Sequence, residues 1–345
     1  MKTTKKLSGY AFRFSLFLAV LPFVAGGPAV AKEKAVTFSK QAADIMIRKP
    51  ALYPETIEAG ATAGHFLLSS FREGAIYDVD LLGNTQILVK DERLRSVLGI
   101  YADKKHNRLY ATNSDIGASV KSKPDEKSHI AGLGIYDLRK GTLLKYVDIA
   151  HLLPGSPHLL NGITGDGEGN IYITDSFSPV IYKVDAEGKP SVFLQSEKFV
   201  GEGINLNGIQ YHPDGYLLVI KKSSGVLYRV PVDHPEAFAP VKLGNTYIGG
   251  DGVTLIGKDT VLLVANQAAG VSSNSAFVLK TTDNWKTATQ QGVYHLGDVY
   301  PTTGIVQDDS VYVLHSRLNR LIRSARAEQN QLQEDAVISR IGRIE

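Results

Sequence analysis

The chain has 345 residues, 43% of them hydrophobic and 21% charged, which is ordinary globular composition with room for one large domain or two smaller ones. Residues 1–31 carry Lys2, Lys5, Lys6 and Arg13 and no acid, so without them the formal charge goes from +3 to −1 and no nucleic-acid footprint remains. No cysteine is present, which excludes disulfide support, thiolate chemistry and Cys-based zinc or iron–sulfur sites, and leaves stability to a sizeable core.

The N-terminal stretch has the plan of a secretory signal peptide. Its basic residues precede an apolar run from Phe14 to Val24, and Ala29-Val30-Ala31 then supplies small residues for cleavage before Lys32. That run is too short to span a bilayer. The expectation is therefore an exported chain, periplasmic or secreted, with no membrane association after cleavage. Residues 32–52 read as a leader in which Ala42 to Ile47 have the makings of a short helix.

From Tyr53 onward the chain repeats. Leu160-Asn161-Gly162-Ile163 returns as Leu206-Asn207-Gly208-Ile209, then as Gly250-Asp251-Gly252-Val253, then as Thr302-Thr303-Gly304-Ile305, at intervals of 46, 44 and 52 residues. Each copy opens a unit of short apolar strands separated by Gly, Asp and Asn turns. The interval from the opening residue to a third-strand Tyr is 21 in two units (Asn161 to Tyr182, Asn207 to Tyr228) and 22 in the first (Glu55 to Tyr77). Periods in the forties with several strands each predict propeller blades. Second strands such as Ile171-Tyr172-Ile173 and Tyr216-Leu217-Leu218-Val219-Ile220 are nearly all apolar, as strands between neighbouring blades should be. The predicted fold is all-β, a six-bladed β-propeller over residues 53–345.

In such a fold each unit opens on the strand lining the axis. The opening residues Glu55, Asn161, Asn207, Asp251 and Thr303 then converge at one end of the channel, the top. The ends of the second strands (Ser70, Asn113, Asp175, Lys221, Asn266 and His315) return to the same rim. The polar insertion from Ser114 to Ala131 lies on that side as a candidate lid. Several carboxylate and amide oxygens on one axis form a hard-cation site, and oxygen-only donors in an exported protein favour Ca²⁺. Lys221-Lys222 reads either as a contact for an anionic substrate group or as exposed strand-end charge.

Glu55, Asn161, Asn207 and Asp251, in blades one, three, four and five, resemble the calcium site of the senescence-marker-protein/gluconolactonase family and its relatives, paraoxonase and diisopropyl-fluorophosphatase. The segment Asp166-Gly167-Glu168-Gly169-Asn170-Ile171-Tyr172-Ile173-Thr174-Asp175 is also similar to that family's blade pattern. The resemblance implies a Ca²⁺-dependent hydrolase of lactones, esters or phosphotriesters. Glu55, Asn161, Asn207 and Asp251 would be the metal ligands and Asp251 would act as base or nucleophile. A His dyad assists in paraoxonase-like enzymes, which makes His315, and His158 three residues before Asn161, candidate auxiliary acid–base groups. Glu55 is followed by Thr56 instead of Gly and no residue matches the family's substrate-contacting arginine, so sugar-lactone specificity is not assigned. The expected partner is a small lactone or ester and the expected state a monomer. The rival reading is a non-catalytic propeller that binds a ligand or protein on its top face, with structural Ca²⁺.

Overall fold

The computed structural model describes residues 1, 35–123, 127–326 and 335–345. Apart from residue 1, the expected signal peptide lies outside the described residues. From Lys34 onward the described residues form a six-bladed propeller, as expected from the repeat.

Blade 1 is Ile57–Ala59, Phe66–Ser70, Ala75–Val79 and Thr85–Lys90, and blade 2 is Ser96–Asp103, Arg108–Ser114, Gly132–Asp137 and Leu143–Asp148. Blade 3 is Leu160–Gly165, Ile171–Asp175, Val180–Val184 and Pro190–Gln195. Blade 4 is Leu206–His212, Tyr216–Lys221, Val226–Pro231 and Ala239–Pro240. Blade 5 is Gly250–Gly257, Thr260–Ala268, Val271–Lys280 and Thr287–His295, edged by the parallel strand Lys242–Leu243. Blade 6 takes Pro301–Gln307, Ser310–His315 and Val337–Ile344 from the C-terminal end of the chain. Its outermost strand is Val36–Met46.

That last strand corrects the helix expected at Ala42 to Ile47. Val337–Ile344 would otherwise expose a ladder of unpaired backbone groups, and pairing of Val36 to Ile344 through Met46 to Val337 satisfies them. The leader is thus the clasp of the ring.

Second strands are buried throughout in blades 1, 3, 4 and 6, because each lies between two neighbouring sheets. Six apolar clusters fill the six gaps between blades. Ile305, Tyr312, Leu314 and Ile338 of blade 6 meet Phe66, Leu68 and Tyr77 of blade 1, which closes the circle. A seventh cluster has a different place. Tyr53, Phe71, Leu98, Leu159, Tyr300, Leu318 and Leu321 form an apolar cap built from loops at the top. Part of this cap is α1 (Leu318–Arg326), a helix the repeat did not reveal. Leu318, Leu321 and Ile322 fall on one face of it at helical spacing.

The recurring opening motif has a structural cause. In blades 2 to 6 the register of the inner strand slips at its first residues, for example between Leu160 and Ile163 and between Leu206 and Ile209. The residue ahead of the glycine leaves the ladder, and in blades 2 to 5 (Leu98, Asn161, Asn207 and Asp251) it lines the top cavity, whereas Thr303 of blade 6 lines the axial cavity. The glycine lies against the backbone of the next blade: a Cβ on Gly162 would collide with the carbonyl oxygen of Asn207, and one on Gly208 with that of Asp251. Hydroxyls of the second strand take up the freed donors. Thr174 Oγ1 accepts from Gly162 N at 3.0 Å and donates to Asn207 O at 2.6 Å, which ties blade 3 to blade 4.

Gly162→Ala forces two backbones apart and should lower stability by about 2–4 kcal/mol. Thermal melting of the variant tests this; a melting temperature equal to the parent's would show that the close approach is not required.

Candidate functional site

Below the apolar cap lies a small cavity of about 30 Å³, room for about one ordered water. Its roof includes Phe71, Leu98, Ile116, Leu159, Leu318 and Ile322, and its floor is Glu55, Asn161, Asn207, Lys222, Asp251 and Tyr300. Four of the five opening donors, Glu55, Asn161, Asn207 and Asp251, therefore do converge and are buried, while Thr303 does not reach this cavity. On the other side of the glycine ring a second cavity of about 300 Å³ follows the axis. There burial pushes the carboxyl of Glu58 up to about 7.

Each floor residue is held by its blade. Glu55 precedes the inner strand of blade 1, where its N–H donates to Ser69 Oγ and its carbonyl accepts from Thr303 Oγ1 across the ring closure. Asn161 donates its Nδ2 to Ser176 Oγ at 3.1 Å, which leaves its oxygen for the cavity. Lys222 follows the second strand of blade 4. Its N–H donates to Asn205 O and its carbonyl accepts from Gly249 N, so it is fixed where blades 4 and 5 meet.

Lys222 is the residue that sequence reasoning undervalued. Neighbours in an extended chain point to opposite sides. Lys221 goes outward and caps the carbonyls of Lys198 and Val200, while Lys222 goes inward and is 2% exposed. Its Nζ donates to Asp251 Oδ2 at 2.5 Å and to Asn266 Oδ1, and it lies 5.3 Å from the centroid of the Tyr300 ring. Asn266 Nδ2 donates to the same Asp251 oxygen and, at 2.8 Å, to Pro301 O. Asp251 Oδ1 accepts no hydrogen bond that the structure records.

Burial, and then the charge of Asp251, push the Glu55 carboxyl well above the ordinary range, with Lys222 opposing only in part. Burial would lower Lys222, but the attraction of Asp251 and Tyr300 outweighs it and holds the ammonium above its usual value. A neutral Glu55 facing an ionic Asp251–Lys222 pair leaves no net charge on the buried floor. It also supplies a proton for the orphaned Asp251 oxygen. Tyr300, whose phenol is raised by burial, sits beside this group with a left-handed backbone (φ 49°), a strained conformation of the kind that persists at functional sites.

The two histidines do not line the cavity. His158 is buried in blade 3, with Nδ1 2.7 Å from Asp175 Oδ2. That carboxylate also accepts from the N–H groups of Leu159, Phe177 and Ser178, a brace for the loop between blades 2 and 3. His315 ends the second strand of blade 6 between Pro301 and Val337, with a buried Nε2 that has no recorded partner. The Ser114–Ala131 insertion contributes Ile116 to the roof. Its described part is tied down: Lys121 Nζ donates to the carbonyls of Gly74, Asp91 and Leu94.

Oxygen donors are present for a cation, but the Lys222 ammonium already shares their cavity, bonded to Asp251 and Asn266. A divalent ion 4 Å from that charge would meet a repulsion of about 8 kcal/mol at an effective dielectric of about 20. Among the described residues no group of three or more His, Cys, Asp or Glu gathers to hold a metal. With Lys222 in place the floor does not fit calcium.

Burial pushes the His315 imidazole down to about 4. The folded state then binds fewer protons than the unfolded one below an ordinary histidine pKa near 6.5. Stability is whole above that pH and drains as the pH falls towards 4. His315→Asn should reduce the stability lost between pH 7 and pH 5 by roughly 2 kcal/mol in urea denaturation. An acid limb as steep as the parent's would refute the assignment.

No family model and no curated protein sequence matches the chain. Solved structures do. The major allergen Mala s 1 of Malassezia sympodialis superposes with a TM-score of 0.65 at 16% identity, covering 88% of this chain and 96% of that one. A luciferin-regenerating enzyme gives 0.59 at 12% identity over 87% and 95% of the two chains. Regucalcin of Agrobacterium tumefaciens, a calcium-binding protein, gives 0.56 at 16% identity over 86% and 92%. These likenesses agree with the resemblance drawn from Glu55, Asn161, Asn207 and Asp251, and at such identities what this chain shares with them is the propeller fold.

Proposed function

We propose that the chain is an exported hydrolase of a small, largely apolar lactone or ester, acting at the floor of the top cavity. The observation that carries this reading is the Glu55–Asp251–Lys222 group, a neutral acid, a carboxylate and an ammonium held together beneath an apolar roof. A carboxyl pushed towards its neutral form beside one held in an ion pair divides acid and base work. That a luciferin-regenerating enzyme shares the fold adds support for small-molecule chemistry.

In this reading Asp251 takes the proton of a water as the water's oxygen adds to the substrate carbonyl. The oxyanion that develops is stabilised by Lys222. When the tetrahedral carbon expels its alkoxide, Glu55 gives that oxygen a proton and recovers one from Asp251. Water and ester are thereby converted to acid and alcohol with both carboxyls restored. Calcium, expected from the donor ring, is given no step, since Lys222 fills the position it would need. Entry requires the roof to part, because about 30 Å³ is room for a water but not for a substrate. Among the described residues no helix is long and apolar enough to cross a membrane. Export itself is tested by the N-terminus of the protein recovered from the producing cells, expected at Lys32.

The deciding assay is a panel of aryl esters and γ- and δ-lactones with the mature protein. Asp251→Asn should lower kcat about 100-fold or more and Glu55→Gln about 10-fold or more, with far-UV circular dichroism unchanged. Saturable ligand binding without turnover across the panel would favour the rival, a binding propeller. Full activity in both variants would refute the assigned roles.

A further inference from the structure

We propose that the Lys222 ammonium is the resident cation of the propeller's axial site, so that the chain keeps an oxygen-lined ring without calcium and gains a calcium site only when Lys222 is removed. The argument is one of occupancy and holds whether or not the chain hydrolyses anything. Lys222 lines the same small cavity as Glu55, Asn161, Asn207 and Asp251, and its Nζ contacts Asp251 Oδ2 at 2.5 Å. A calcium ion wants six to eight oxygens at 2.3–2.6 Å. Here the strongest of them, Asp251, already receives two N–H donors on one oxygen, from Lys222 and from Asn266. A metal at that oxygen would have to displace both.

The ammonium is also built in. Lys222 and Asp251 are each 2% exposed, Asn266 is fully buried, and the backbone of Lys222 is hydrogen-bonded both ways between Asn205 and Gly249. The Tyr300 ring stands beside the charge, an aromatic face that suits an ammonium. A lysine that merely ended a strand would resemble Lys221, which turns away to cap carbonyls. Deleting the Lys222 side chain, in contrast, leaves two carboxyl groups and two amide oxygens around an emptied volume. That is the donor set and charge a hard divalent cation takes.

The test is calcium binding by the mature chain after removal of divalent ions, using calcium chloride alone as the probe in titration calorimetry and thermal melting. The parent should bind no stoichiometric calcium, and its melting temperature should be the same in excess calcium and in EGTA. Lys222→Ser should bind one calcium ion. At a hundredfold excess over its Kd, calcium should raise the melting temperature by about 5 °C. Adding Asp251→Asn to that variant should weaken binding at least tenfold. Recovery of folding of Lys222→Ser only when calcium is supplied supports the proposal equally. Stoichiometric calcium binding by the parent, or a folded Lys222→Ser that binds no more than the parent, overturns it. If Lys222→Ser stays unfolded with and without calcium, Lys222→Gln, which keeps a hydrogen-bonding amide, is held to the same two outcomes.

Discussion

The propeller depends on how closely its six inner strands approach one another at the axis. Where Gly162 meets the carbonyl of Asn207 and Gly208 that of Asp251, backbone touches backbone. Only a residue without a Cβ permits that distance. The same slip in register that brings the glycine against the next blade turns the preceding side chain into the top cavity. Scaffold and site are therefore not separable: Asn161, Asn207 and Asp251 converge because the residues after them must be glycine. Blade 1 departs from this pattern with Thr56. There the closure relies instead on hydroxyls, Ser69 Oγ accepting from Glu55 and Thr56 and Thr303 Oγ1 bridging Ile57 and Glu55.

Convergence creates an electrostatic problem. Two carboxyls placed together in a buried ring repel, and each pays heavily for lost hydration. The structure answers with one proton and one lysine. Glu55 is pushed towards its neutral form, and Asp251 is paired by Lys222 and Asn266. The cap of Tyr53, Phe71, Leu98 and Leu318 then covers the pair with apolar side chains, which strengthens it and makes any change in its partners costly. For the proposed hydrolase, a polar floor under an apolar roof would suit a polar head facing the ammonium, attached to an apolar body.

Much of this was legible in the sequence, for physical reasons. A repeat of 44 to 52 residues with apolar second strands fixes a propeller, because each blade can bury its faces only against its neighbours. The opening donors were legible because glycine marked their position in each copy. What stayed hidden depended on partners distant in sequence. The leader became a strand because Val337–Ile344 needed one, a demand invisible in Val36–Met46 itself. His212, beside a turn in the sequence, is buried against the Tyr216 ring at 4.3 Å and bonded to Lys258 O. Lys222 has no counterpart in the repeat and looks like any strand-end charge until the facing Asp251 is placed beside it. His158 and His315 sit near the rim in sequence, yet their side chains are absorbed by blades 3 and 6.

The clasp links the chemistry to the order of folding. Blade 6 combines the first strand of the described propeller, Val36–Met46, with the last, Val337–Ile344, so the ring cannot close until the whole chain is available. Glu55 lies just after that first strand, whereas Asp251 and Lys222 belong to blades that can pair earlier with their sequence neighbours. The ion pair can thus form within blades 4 and 5 before closure. Glu55 is held against it from blade 1, which is tied to blade 6 through Thr303.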